Sequence, residues 1–298
     1  MADEPNDYSD VISRRRFIEL TGVSGAAALA GCSDDSSDSG ADGGDGGTDS
    51  SGDESDSTST DGEMEVAAIT HKSGTSLSPA DIQFNPWGSS PAQISNEVIF
   101  DPFAEFNYAT GEYEPGIISD WEYTGDAFEM TIQEGATWHD GDPVTPQDLV
   151  TYLKLDREVG SSIWDWGNTV EERGDRTVAI TVEGDINPSL IEFSVMENRL
   201  ATKHSRYGDI LSEVQDSDGT TALTEFADEE PIGNGIFQFA DSDEQVLLTQ
   251  RHGDHPNADN VTFEEYAFQF YDGNTAIHQA LLSGNLESMF SIYTPANV

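Results

Sequence analysis

Residues 131–150 read TIQEGATWHDGDPVTPQDLV. The run Phe128-Glu129-Met130-Thr131-Ile132 leads into this stretch with apolar and polar residues alternating, which predicts a strand with one buried face. Trp121-Glu122-Tyr123-Thr124 alternates in the same way, and Gly125-Asp126 between the two runs are turn residues, so a β-hairpin is expected. At the far end Thr145 stands before Pro146. Thr145 is the expected N-cap, Pro146 takes the first helical position, and Asp148 sits at the third, near the positive end of the helix dipole. Leu149, Val150, Leu153 and Leu155 supply the apolar face of that helix. Between strand and helix lies Trp138-His139-Asp140-Gly141-Asp142, which has two readings. In one, Gly141 and Asp142 form a tight turn while Trp138 packs in the core. In the other, His139 and its acids, with Glu134 nearby, form a metal or acid–base site.

Working outward, Met64-Glu65-Val66-Ala67-Ala68-Ile69 reads as a buried strand, and residues 91–106 as a helix followed by an apolar turn. Thr177-Val178-Ala179-Ile180-Thr181-Val182 is a further alternating strand, entered through a turn at Gly174-Asp175. Residues 262–271 read as a strand, and residues 274–283 as a helix ended by Gly284 as a left-handed cap. Ile191, Phe193 and Met196 are expected in the core. Strands and helices mix without strict βαβ alternation, which predicts a mixed α/β fold with no internal repeat and no nucleotide-binding glycine loop.

The charge balance is extreme: 58 acidic residues against 12 Lys and Arg, a net charge of −46. Such a chain repels nucleic acid and anionic lipid, so neither is an expected partner. The carboxylates are spread along the whole chain, the pattern of an acidic surface adapted to molar salt, where the screening length falls to about 3 Å. A halophilic, haloarchaeal source is the expectation. Calcium binding is the alternative, but no D-x-D-x-D-G loop occurs. Cys32 is the only cysteine, so no internal disulfide holds the fold.

Residues 13–32, SRRRFIELTGVSGAAALAGC, carry an export pattern. Arg14 and Arg15 with the apolar residues after them resemble a twin-arginine signal, and Leu29-Ala30-Gly31-Cys32 resembles a lipobox, in which the cysteine becomes lipid-modified. The apolar stretch is too short to span a bilayer well. Residues 1–31 are therefore read as a signal peptide and Cys32 as the lipidation site. Residues 32–63, rich in Asp, Ser and Gly with almost nothing apolar, are read as a disordered, extended linker. Residues 64–298 form the folded body, long enough for a sizeable core.

The stretch Trp138-His139-Asp140-Gly141-Asp142-Pro143-Val144-Thr145-Pro146-Gln147-Asp148-Leu149 resembles the signature of the family-5 solute-binding proteins, the oligopeptide, dipeptide and nickel receptors of ABC importers. Phe84-Asn85-Pro86, Thr110-Gly111-Glu112, Ile118-Ser119-Asp120-Trp121-Glu122, Pro231-Ile232-Gly233-Asn234-Gly235, and the run Leu248-Thr249-Gln250-Arg251 resemble further motifs of that family, in the same order. Residues 275–285, TAIHQALLSGN, resemble the helix that follows. Ile236 and Gly253 stand where members usually carry Pro.

The resemblance implies a class II periplasmic-binding-protein-like fold, with residues 64–298 as an N-terminal lobe bearing a β-rich subdomain. Members are roughly twice this long, so a second lobe is expected to be largely missing, and the chain to be a truncated member holding half of a ligand cleft. The resemblance also makes the Trp138 to Asp142 stretch a structural turn rather than a metal or acid–base site. The two histidines of His252-Gly253-Asp254-His255 are a weak metal motif lacking a third defined ligand. By position in the family, Phe84, Asn85, Trp87, Trp164, Trp166 and Asn234 are the candidate ligand-binding residues. No catalytic residue, metal or cofactor is expected.

The function implied is an extracellular component of an ABC importer that captures a peptide or similar small solute and delivers it to the permease. It would work as a monomer held to the membrane's outer face by lipid on Cys32. Two alternatives stand beside it: an exported hydrolase of acid type, and a chemoreceptor adaptor using the same binding fold. No G-x-S-x-G, H-E-x-x-H or cysteine–histidine pair supports the hydrolase.

Overall fold

A computed structural model describes residues 64–69, 82–88, 94–217, 219–271 and 273–289. The export pattern with Cys32, and the linker, lie outside the described residues. Two sheets organise the fold. A five-stranded sheet has the order β11-β1-β10-β9-β8: β1 (Met64–Ile69), β8 (Phe237–Ser242), β9 (Val246–Arg251), β10 (Glu265–Phe270) and the short β11 (Ser288–Met289). Both β10 and β11 pair with β1 in parallel, whereas β8, β9 and β10 run antiparallel as successive hairpins.

A four-stranded antiparallel sheet has the order β4-β5-β7-β6, from β4 (Ile118–Tyr123), β5 (Ala127–Ile132), β6 (Gly167–Glu172) and β7 (Thr177–Val182). The hairpin at Gly125-Asp126 forms as its sequence pattern predicts, with Gly125 at φ 101°, a left-handed value that glycine adopts freely. A separate hairpin joins β2 (Ala104–Asn107) to β3 (Glu112–Pro115).

Among the described residues the α-helices are α1 (Ile94–Ile99), α2 (Pro146–Glu158), α3 (Pro188–Met196), α4 (His204–Asp216), α5 (Thr221–Thr224) and α6 (Asn274–Leu282). Helix α2 begins as its sequence dictates. The Asp148 carboxylate accepts from the Thr145 backbone N–H and hydroxyl, both at 2.8 Å, so the first turn is closed from inside. Leu149, Val150, Leu153 and Leu155 are all buried. They meet Phe128, Met130 and Ile132 of β5 and Val178 and Ile180 of β7 in the largest core cluster, except that Leu155 turns to Tyr207, Leu211 and Val214 of α4. Each such side chain contributes about 1.5–3 kcal/mol through burial, an upper bound because the unfolded chain is itself partly collapsed.

Three expectations change. The predicted helix and apolar turn over residues 91–106 is a helix only at Ile94–Ile99, and β2 follows it. Asp101-Pro102 intervenes, and a proline disfavours helical backbone in the residue before it. The strand predicted over residues 262–271 spans Glu265–Phe270. Phe193 is exposed, unlike Ile191 and Met196, which are fully buried. On a helix whose inner face is Ile191 and Val195, a residue two positions from each points outward.

Candidate functional site

The candidate residues fall in three places. The first is the segment at 82–88. The Asn85 amide is fully buried and donates to the carbonyls of Leu223 (2.6 Å) and Phe226 (3.1 Å), while its Oδ1 accepts from the Trp87 N–H. Phe84 is buried edge-on against Phe239 of β8, and its N–H donates to the Asp228 carbonyl. Asp228 is itself buried, held by Arg206 and the Tyr207 hydroxyl; burial pushes its carboxyl up, against the pull of Arg206. Phe84 and Asn85 thus bind the segment to α5 and the residues after it. Trp87 remains half-buried, its ring 5.5 Å from that of Tyr152 on α2.

The second place is the end of α2. A 3-10 turn at Ser162–Asp165 carries Trp164, which is half-buried with the Arg157 guanidinium 5.2 Å from its ring centre. Trp166 is buried in the main core. Asp156, buried beneath the turn, accepts from the Ser161 hydroxyl; burial pushes its carboxyl up while hydrogen bonds oppose the shift. Of the two tryptophans, only Trp164 keeps appreciable exposed surface.

The third place is the crossing segment 231–236, which has no regular secondary structure and feeds β8. Asn234 is buried: its Oδ1 accepts from the Asp101 N–H (2.8 Å) and its Nδ2 donates to the Leu200 carbonyl (3.1 Å). Trp87 and Trp164 offer half-buried aromatic faces, whereas Phe84, Asn85, Trp166 and Asn234 have their side chains committed inside the body.

The Trp138 to Asp142 turn shows polar partnerships that sequence reading missed. Gly141 has φ 86°, and the Trp138 N–H donates to the Asp142 carbonyl. Lys203, buried at the start of α4, bonds the carboxylates of Asp140 and Asp142, the latter at 2.6 Å. Burial pulls its ammonium down, yet the two acids outweigh burial and hold it above the usual lysine value. The Asp148 carboxylate also accepts from the His204 N–H (2.7 Å) and the Trp138 indole (3.3 Å), so one buried acid ties the turn, α2 and α4 together. In sequence these were a helix-capping acid and an unremarked lysine.

The Lys203 cluster predicts an asymmetry. Asp140 and Asp142 are partly exposed, so Lys203→Met leaves no buried charge and is expected to cost about 1 kcal/mol. The Asp140→Ala/Asp142→Ala double variant strands the ammonium inside and is expected to cost about 3 kcal/mol. Urea unfolding of both at pH 7 and constant molar KCl reads the difference; equal costs would contradict it.

Among the described residues no group of three or more His, Cys, Asp or Glu is arranged to hold a metal ion. A small cavity of about 20 Å³ lies among Asp101, Gln133, Asn234, His252 and His255, room for a water molecule but not for an organic ligand.

The sequence profile of the family described as bacterial extracellular solute-binding proteins, family 5, middle part, matches residues 112–297. No curated protein matches the chain. Solved structures similar in fold include the oligopeptide-binding protein AppA from Bacillus subtilis in complex with a nonapeptide, at 14% identity and TM-score 0.58, covering 76% of this chain and 43% of that one. A mannohexaose-bound periplasmic oligopeptide-binding protein from Thermotoga maritima matches at 19% identity and TM-score 0.61, over 78% and 42% of the two chains. NikZ from Campylobacter jejuni in complex with Ni(L-His) matches at 13% identity and TM-score 0.56, over 76% and 42%. The likeness establishes the mixed α/β, binding-protein-like fold, and this chain spans less than half the length of each of these relatives.

Proposed function

The chain belongs to the family-5 extracellular solute-binding proteins, and from that premise we propose that it captures a peptide or other small solute outside the cell for an ABC permease. The observation that carries this reading is the family match over residues 112–297, on a body whose fold is that of solute-binding proteins. The mechanism is a population shift: ligand favours a closed arrangement of two lobes, and the permease reads the closed form. In this proposal Trp87 and Trp164 present aromatic surface to the ligand. Asn85 and Asn234 act behind them, fixing the segments at 82–88 and 231–236. Export through the twin-arginine pattern, lipid on Cys32 and a tether over residues 32–63 complete the proposal, with the acidic surface suited to a halophile.

The relatives named above were solved with a nonapeptide, mannohexaose and Ni(L-His), so one fold serves chemically unlike ligands. The test is calorimetric titration of the chain in molar KCl with those three probes. Saturable binding of one of them without product is expected, with at least a tenfold loss of affinity in Trp164→Ala. Product formation would overturn the reading in favour of a hydrolase.

A further inference from the structure

Three histidines meet where the crossing segment 231–236 passes the Trp138 to Asp142 turn. The ring of His139 is clamped on both nitrogens. The Gly233 N–H donates to Nδ1 (3.1 Å), and Nε2 lies 2.9 Å from the Gly235 carbonyl, which can only accept. One nitrogen must therefore be bare and the other protonated, so the clamp exists only for the neutral ring. The His139 N–H closes the same joint from the backbone by donating to the Gly233 carbonyl (2.8 Å).

The ring of His252, on the turn after β9, lies 4.9 Å from that of His139, and the His252 backbone N–H donates to the Ile236 carbonyl (2.9 Å). The His252 side chain is buried, and its Nε2 has no hydrogen-bonding partner among the described residues. It borders the small cavity described above. His255 Nδ1 accepts from the Asn257 N–H, so its Nε2 carries the proton and donates to Asp101 Oδ2 (2.9 Å).

We propose that His139 and His252 form an acid-released joint, which holds the crossing segment of the five-stranded sheet against the turn that follows the four-stranded sheet only while both rings are neutral. The surrounding charges do not rescue a charged pair. His139 is faced by Asp140 on its own turn and by His252 and His255 across the joint. Asp140 is already bonded to Lys203. His252 is faced by Asp254 and His255 on its own turn. Asp101, beyond α1, is engaged by His255. Protonating His139 sets a ring N–H against the Gly233 N–H, and protonating His252 places a second buried cation beside it.

The sign follows directly. Burial, reinforced by the neighbouring histidines against the Gly235 carbonyl and Asp140, lowers His139 from the ordinary 6.5 to about 4, and burial lowers His252 in the same direction. Below pH 6.5 the unfolded chain binds protons that the folded one refuses. The contribution is complete above pH 6.5 and is lost as pH falls toward 4, where His139 alone reduces the folded-to-unfolded ratio by roughly two orders of magnitude.

The test uses the whole chain at fixed molar KCl. Long-range ¹⁵N–¹H spectra of the wild type read the charge and tautomer of each ring, so this arm needs no variant to fold. His139 is expected to remain neutral with its proton on Nε2 at pH 5.5. In parallel, urea unfolding of wild type and His139→Gln from pH 7 to 4.5 isolates the ring from the many carboxylates, whose titration is common to both. The stability advantage of wild type over variant is expected to shrink at least thirtyfold across that range. A His139 ring charged at pH 5.5, or wild type and variant losing stability in parallel, overturns the proposal.

Discussion

Replacing Gly233 by alanine is expected to lower the unfolding free energy by about 4 kcal/mol, a large share of the roughly 5–15 kcal/mol typical of a folded domain. A Cβ at Gly233 would lie 2.1 Å from the Ile99 carbonyl oxygen and 2.7 Å from both Ile99 Cγ2 and His139 Cε1. The nearest obstacle is backbone at the end of α1, which no rotamer change can clear. The crossing segment must back away, and the Asn234 (3.1 Å) and Gly235 (2.8 Å) N–H groups both donate to that same Ile99 carbonyl. Overpacking accounts for about 1–3 kcal/mol and each weakened hydrogen bond for about 1 more. Gly253 has open space where a Cβ would go and no left-handed backbone, so Gly253→Ala is expected within about 0.5 kcal/mol of wild type. Urea unfolding at pH 7 in molar KCl, followed by tryptophan fluorescence, reads both midpoints. A Gly233→Ala loss below 1 kcal/mol would show that the approach to Ile99 relaxes freely.

Features legible in the sequence were those written in neighbouring residues. Thr145, Pro146 and Asp148 announce α2 within four positions, Gly125-Asp126 announces the hairpin, and Gly284, at φ 73°, marks the end of α6. Period-two alternation located β7 at Thr177–Val182. Features that were not legible depend on partners far along the chain. Asn85 is answered by Leu223 and Phe226, Asn234 by Asp101 and Leu200, and His139 by Gly233 and Gly235. Nothing local distinguishes such an asparagine from one that faces a ligand, because both need a polar group at a fixed point. Family position marked Phe84, Asn85, Trp166 and Asn234 as candidates, and the burial of their side chains is set by tertiary contact alone. Phe193 departs from expectation for a related reason. Its residue type suggested the core, and only the phase of α3 against its neighbours turns it outward.

Trp138→Ala is expected to cost about 4–5 kcal/mol, the upper part of the range for truncating a fully buried aromatic. Trp138 has no exposed surface and stands among the largest fully buried side chains. It shares its cluster with Leu149, Val150 and Leu153 of α2 and with Phe128, Met130 and Ile132 of β5, so its removal leaves a void between sheet and helix. The walls are regular elements paired to their own neighbours and can collapse only partly. Trp138→Phe separates volume from hydrogen bonding. It keeps most of the ring but loses the indole donor to Asp148, a long bond at 3.3 Å. Asp148 would still accept from the Thr145 N–H, the Thr145 hydroxyl and the His204 N–H, so no buried acid is orphaned. That variant is expected to cost about 1.5 kcal/mol. The turn also carries His139 and Asp140, so emptying the Trp138 site should loosen what those residues hold. Amide hydrogen exchange at Gly233 and His204 is expected to speed up in Trp138→Ala more than in Trp138→Phe. Equal losses of stability in the two variants would mean that the indole N–H, not the packed ring, anchors the turn.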